Sequence, residues 1–120
     1  MHVDWTAARG VCALLGGDLA IVDDAGENDF LVTAGNAVDP AAAWWLGVSD
    51  AAAEGDWRTV QGASLGYTAF CGGEPNNAHG GECSTSSEED CGVLDWCAGG
   101  WNDLPCDCVW SQIGIACEGP

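Results

Sequence analysis

The sequence predicts an α+β fold in which two helices flank small antiparallel sheets, stapled together by disulfides. Three observations lead there. Apolar residues recur at helical spacing only ahead of Pro40. From Ala43 onward, short β-type runs alternate with Gly- and Asn-rich turns. The chain of 120 residues carries eight cysteines, an even number with no Cys-x-x-Cys pair, which reads as a disulfide framework and not as a zinc site.

Taken in order, Asp4 can cap a first helix whose apolar face is Trp5, Ala8, Val11, Cys12 and Leu15, and Gly16-Gly17 ends it. A strand follows from Leu19 to Val22. Asp23 or Asp24 can cap a second helix to about Asn36, with Phe30, Leu31 and Ala34 as its buried side and Gly26 weakening its first turn. Asp39-Pro40 closes the helical half. The β-type runs are Trp44 to Val48, Trp57 to Val60, Val93 to Trp96 and Ile113 to Cys117. Between Gly62 and Asp90 periodicity is lost, and a loop of that length in a compact domain is usually functional. No repeat or linker divides the chain, so residues 1–120 read as one domain.

Nineteen Asp and Glu face two arginines and no lysine, for a formal charge of −17. Such a surface repels nucleic-acid phosphates and anionic headgroups, so nucleic acid and membrane insertion are excluded as partners and cations or neutral molecules are favoured. Hydrophobic residues make up 48%, which excludes the disordered class. Met1-His2-Val3-Asp4 has neither the basic nor the apolar region of a signal peptide. With the disulfides, this reads as a mature or excised piece of a precursor, secreted or at a cell surface.

Three acid-and-amide clusters occupy the loop-rich half: Glu74-Pro75-Asn76-Asn77, Glu88-Glu89-Asp90 and Asn102-Asp103. Ca²⁺ takes six to eight oxygens in a flexible shell, which carboxylates and amide carbonyls on loops can supply, whereas Mg²⁺ prefers a rigid octahedron. Seen only as loop residues, the same side chains are ordinary turn and solubility groups.

Trp5-Thr6-Ala7-Ala8 with Cys12, Gly16-Gly17-Asp18-Leu19-Ala20, Phe30-Leu31, and Trp45-Leu46-Gly47-Val48 with Asp50, Glu54-Gly55 and Trp57 form an ordered set. Gly73-Glu74-Pro75-Asn76-Asn77, Glu89-Asp90-Cys91, Trp101-Asn102-Asp103 with Cys106, and Cys117-Glu118 continue it. Together they resemble a C-type lectin domain of the Glu-Pro-Asn, mannose-type subgroup. The match covers nearly the whole chain and lacks the family's usual first strand, which is expected to be truncated here.

The resemblance implies calcium-dependent carbohydrate binding. Its principal Ca²⁺ site would be Glu74, Asn76, Glu89, Asn102 and Asp103, with Pro75 cis so that its neighbours face one ion. A second Ca²⁺ site would be Asp50, Glu54, Asn77 and Asp90 with Glu89, weakened by an amide at Asn77 where an Asp would add charge. Counting from Glu74 favours Glu82 as the third carboxylate; adjacency to Asp90-Cys91 favours Glu89, which is the one taken. Sugar contacts fall to Glu74, Asn76, Glu89 and Asn102, whose carboxylates accept from hydroxyls and whose amides donate. His79 is a candidate to pack on a sugar ring, against the blander reading of a surface histidine. The Glu-Pro-Asn order implies equatorial 3- and 4-hydroxyls, as in mannose, glucose and N-acetylglucosamine, or the matching pair in fucose. Trp5, Trp45, Trp57 and Trp101 fall at core-filling motif positions, and Trp110 has no assigned role.

The family pattern also joins Cys12 to Cys117 and Cys91 to Cys106. Cys97 then lies at a hairpin tip ~20 Å along a strand from Cys91, while Cys108 is within ~7 Å of Cys106, too far apart to be bridged. Cys71 and Cys83 are left as their partners, in either order. The alternative function is a lectin-like adhesion or assembly domain with structural calcium and a protein ligand. An enzyme fares worst: paired carboxylates of a glycosidase need one raised-pKa acid in an apolar setting, which nothing here suggests. A single sugar site binds weakly, so oligomers or a larger multidomain protein are expected.

Overall fold

The computed structural model describes residues 3–75, 83 and 89–119. Asp4 caps helix α1 (Trp5–Leu14), its Oδ1 accepting the Ala7 N–H at 2.8 Å. The helix ends as expected: the Gly16 and Gly17 N–H groups donate to Ala13 and Cys12 carbonyls, with Gly16 at φ 87°, which only glycine adopts without cost. Strand β1 (Asp18–Leu19) is shorter than predicted, although Ala20 and Val22 beyond it are buried. Helix α2 (Ala25–Val38) is capped by Asp24. Its buried side differs from the expectation. Phe30 is 70% exposed and Ala34 is also exposed, whereas Asn28, Leu31, Val32 and Gly35 turn inward. Their i, i+3, i+4, i+7 spacing forms a regular helix face, headed by a polar residue that an apolar pattern passes over. Asn28 is satisfied there, donating to the Gly99 carbonyl and accepting from Trp101 Nε1.

The remaining strands are β2 (Ala43–Ser49), β3 (Arg58–Thr59), β4 (Cys91–Cys97), β5 (Gly100–Leu104), β6 (Ile113–Ile115) and β7 (Cys117–Glu118). Strand β7 pairs with β1, closing the two chain ends together. The other five form a sheet ordered β3-β2-β4-β5, with β6 also on β2. The fold class is as predicted, with one difference: β6 runs parallel to β2, since the chain crosses the domain after β5 before returning. Strand β5 was not legible as a β-type run, because Gly100, Asn102 and Asp103 interrupt its apolar character.

Two apolar clusters fill the two faces of this sheet. One gathers Ala8, Cys12, Leu19, Trp45, Val93 and Leu104; the other gathers Val22, Leu46, Val48, Leu94 and Trp101. Trp45 and Trp101 are fully buried, while Trp5 and Trp57 cover the core from its margin. Among the described residues no helix is long and apolar enough to cross a membrane. Four disulfides are formed: Cys12–Cys117, Cys91–Cys106, Cys71–Cys97 and Cys83–Cys108. The first two follow the family pattern, and the last two choose one of the two orders left open.

Arg9 ties α1 to β1 through a two-pronged pair with Asp18 at 3.0 Å for each prong, and the Leu19 N–H donates to the same carboxylate. The Arg9 hydrogen bond foremost holds the Asp18 carboxyl below its usual value. A carboxyl lowered on folding contributes stability that is complete above its unfolded value and lost as pH falls through the folded one. With side chains 41% and 34% exposed, solvent screens most of the pair. We expect Asp18→Asn to cost under ~1 kcal/mol at neutral pH, with the gap to wild type closing in acid. Urea unfolding across a pH series checks this, and a gap independent of pH would refute it.

Candidate functional site

Of the acid and amide residues predicted from sequence, those that the structure describes gather at one end of the five-stranded sheet. Strand β2 delivers Asp50 just beyond Ser49, and the Asp50 N–H donates to the Asp90 carbonyl at 3.0 Å. Glu89 and Asp90 immediately precede β4, whose first residue pairs with the end of β5 (Cys91 with Leu104). Asn102 and Asp103 lie in that same stretch of β5, opposite Val93 and Gly92. The Cys91–Cys106 disulfide locks the two strands at this end.

Glu74 arrives from a different direction. Phe70 bridges to Trp101, the Cys71 N–H donates to the Trp101 carbonyl, and the Glu74 N–H turns back to the Cys71 carbonyl. The Cys71–Cys97 disulfide holds that turn against the hairpin. The Glu74–Pro75 peptide is cis, as expected. Glu74 is therefore fixed next to the strand that carries Asn102, one residue beyond Trp101.

Burial is what sets these side chains apart from ordinary loop acids. Asp103 is 0% exposed, Asp50 2%, and Glu89 and Asn102 4% each. Charged groups are seldom so enclosed unless paired or metal-bound. The chain has only two arginines, and both are engaged elsewhere, Arg9 with Asp18 and Arg58 with Asp56. Asp50 Oδ2 accepts the Gly55 N–H at 2.8 Å, while its Oδ1 is buried without a hydrogen-bond partner among the described residues. Asn102 Oδ1 is buried in the same condition. Asp50, Glu54 and Asp90 each place a carboxylate oxygen within 4.8 Å of the others. Buried, unpartnered oxygens beside clustered carboxylates suit a hard cation that takes oxygen ligands.

The structure thus brings together Asp50, Glu54 and Asp90, and sets Glu74, Glu89, Asn102 and Asp103 around the β4–β5 end of the sheet. Asn76, Asn77, His79 and Glu82 lie outside the described residues. Trp110 packs against Trp96 with ring centroids 5.7 Å apart.

Residues 2–113 match the family model of the lectin C-type domain. The chain is 36% identical over 110 residues to the mannose-binding protein of Gallus gallus, covering 92% of this chain and 38% of that protein. It is 34% identical over 118 residues to a perlucin-like protein of Mytilus galloprovincialis, covering 95% of this chain and 69% of that one. Among solved structures, the carbohydrate-recognition domain of cow CD23, crystallised in the presence of a GlcNAc2Man3 oligosaccharide, superposes with a TM-score of 0.75 at 29% identity, over 90% of this chain and 74% of that one. The chain therefore spans well under half the length of the first of these relatives and about two thirds of the second. On this sequence match, on the fold and on the disulfide frame, the chain belongs to the C-type lectin domain family, whose domains bind carbohydrate and are not enzymes.

Proposed function

We propose that this domain binds mannose-type glycans in a calcium-dependent manner. The observation that carries this is the buried Asn102, whose Oδ1 has no described partner, beside the fully buried Asp103. An amide oxygen kept dry and unbonded costs ~1–3 kcal/mol unless a ligand completes it. Glu74, Asn76, Glu89, Asn102 and Asp103 would hold the principal Ca²⁺, and Asp50, Glu54, Asn77, Asp90 and Glu89 a second. Bound there, Ca²⁺ would supply a centre that takes lone pairs from two vicinal hydroxyls. The protein's own part is direction: Glu74 and Glu89 accept from those hydroxyls, and the Asn76 and Asn102 amides donate to them. His79 would pack beside the sugar ring. The names of the chicken relative and of the cow oligosaccharide complex support a mannose-containing ligand. Residues 1–120 would form one recognition domain of an oligomeric or larger protein, since the relatives extend well beyond the matched region.

The test is capture on a mannose-bearing resin with and without a chelator, alongside the double variant Glu74→Gln, Asn76→Asp. The double change reverses donor and acceptor at nearly constant size and charge. Wild type should be retained only with calcium. The variant should lose mannose affinity by ~10- to 100-fold, the cost of one or two misdirected hydroxyls, and gain relative preference for galactose. Wild-type capture that ignores the chelator, or a preference for galactose over mannose, would overturn the assignment.

A further inference from the structure

At the opposite end of the sheet, β4 departs from regular pairing. Val93 faces Asn102 and Cys97 faces Gly100, so Leu94, Asp95 and Trp96 together oppose Trp101 alone. Strict alternation would send Trp96 to the same face as Leu94. The bulge sends it to the other: Leu94 packs with Trp101, whereas Trp96 packs with the cluster of Val93, beside Trp110. The turn is made at Asp95, which adopts φ 64° with its Oδ1 accepting the Gly99 N–H at 2.8 Å. Bulges that re-aim one side chain, and non-glycine residues held in the left-handed region, are concentrated at binding sites.

The re-aimed Trp96 packs on Trp110 in a tilted pair, with centroids 5.7 Å apart and planes at 50°. They wall a cleft of about 140 Å³ completed by Ala41, Ala43, Asp95 and Gln112. Both indoles are half-buried, packed against the core cluster on one side and lining the cleft on the other. At its rim, Asp95 Oδ2 accepts no hydrogen bond among the described residues, and the exposed Gln112 adds an amide with one acceptor and two donors. Ala43 lies on β2 seven residues before Asp50, ~23 Å away along an extended strand. The cleft is therefore separate from the Asp50, Glu54 and Asp90 group, although on β4 its Asp95 lies two residues beyond Val93, the partner of Asn102.

We infer that the Trp96–Trp110 cleft is a second, calcium-independent saccharide site for a neutral pyranoside with equatorial hydroxyls. Such a ring carries its C–H bonds on two flat apolar faces, which suit an indole, and its hydroxyls around the edge, where they both donate and accept. The rim matches that edge: a carboxylate accepts and an amide does both. A quaternary ammonium would also suit two indoles and a carboxylate, but it would leave the Gln112 amide without a use. With the net charge of −17, an anionic ligand is disfavoured.

Titration of the ¹⁵N-labelled protein with methyl β-D-glucopyranoside, in the presence of a chelator throughout, tests this. Of the seven tryptophans, the indole N–H signals of Trp96 and Trp110 should shift saturably while those of Trp45 and Trp101 stay fixed. Gln112→Ala removes an exposed side chain and should weaken the response severalfold without altering the remaining spectrum. Trp110→Ala should weaken it at least ~10-fold, the loss of a stacked aromatic contact. Calcium-dependent capture on the mannose-bearing resin should be retained by both variants, which separates this site from the proposed principal one. Absence of indole shifts at large excess of glucoside would overturn the proposal. So would shifts that both variants leave intact, or a response to tetramethylammonium with none to the glucoside.

Discussion

Replacing Cys12 and Cys117 together by alanine should cost more stability than removing any of the other three disulfides. This bridge joins α1 to β7 across a sequence separation of 105, against 26, 25 and 15 for the others. Cross-linking restricts the unfolded chain in proportion to the logarithm of the loop it closes. The chain-entropy model gives ~4–5 kcal/mol for the longest loop, ~3.5 for the middle two and ~3 for the shortest. A domain of this size has only ~5–15 kcal/mol in total, so the largest loss removes a third or more of it. Burial does not set this order, since Cys91 and Cys108 are as fully buried as Cys12 while Cys117 is exposed, so the ranking rests on loop length. Guanidinium unfolding of the double-alanine variants checks the order. Equal midpoints for the Cys12–Cys117 and Cys91–Cys106 variants would refute it. Bridges of this kind belong to an oxidising compartment, which agrees with a family of secreted and cell-surface domains.

How much of this could be read from the sequence varies with the physics involved. Caps were legible because they are local: Asp4 and Asp24 each accept an N–H three residues on, and no tertiary contact is needed to see it. The inward side of α2 was not. Asn28 is buried because Trp101 Nε1 and the Gly99 carbonyl, more than 70 residues away, satisfy it, and no periodicity within the helix reveals such partners. Phe30, expected on the buried side with Leu31 and Ala34, is instead exposed. The disulfide order was narrowed by distance along a hairpin but decided only by tertiary placement: Phe70 bridges to Trp101 and so sets Cys71 beside Cys97. The acid cluster was legible as residue types. That Asp50 and Asn102 each bury an oxygen with no hydrogen-bond partner among the described residues depends on how β2, β4 and β5 meet, which composition does not contain. The Trp96–Trp110 cleft left no trace in the sequence beyond an unexplained tryptophan, because a bulge overrides the alternation from which strand faces are read.

Calcium should raise the melting temperature, and a chelator at neutral pH should lower it by an amount that grows with the free calcium it replaces. Asp50, Glu54 and Asp90 hold carboxylate oxygens within 4.8 Å, Asp103 and Glu89 are enclosed, and both arginines are committed to other acids. Like charges at that spacing repel, and burial weakens the solvent screening that would relieve them. A ligand that binds only the folded state stabilises it by RT ln(1 + [L]/Kd), which is ~2.7 kcal/mol at a hundredfold excess over Kd. For a domain of this size that corresponds to a shift of roughly 10 °C. Asp103→Asn keeps the side-chain shape and one oxygen but removes a charge, so it should shrink the calcium-induced rise. Asp50→Asn should do the same for the part of the rise contributed by the Asp50, Glu54 and Asp90 group. Differential scanning calorimetry of the three proteins at several calcium concentrations separates these contributions. A melting temperature indifferent to calcium in wild type, or a rise undiminished in both variants, would show that these carboxylates hold no ion.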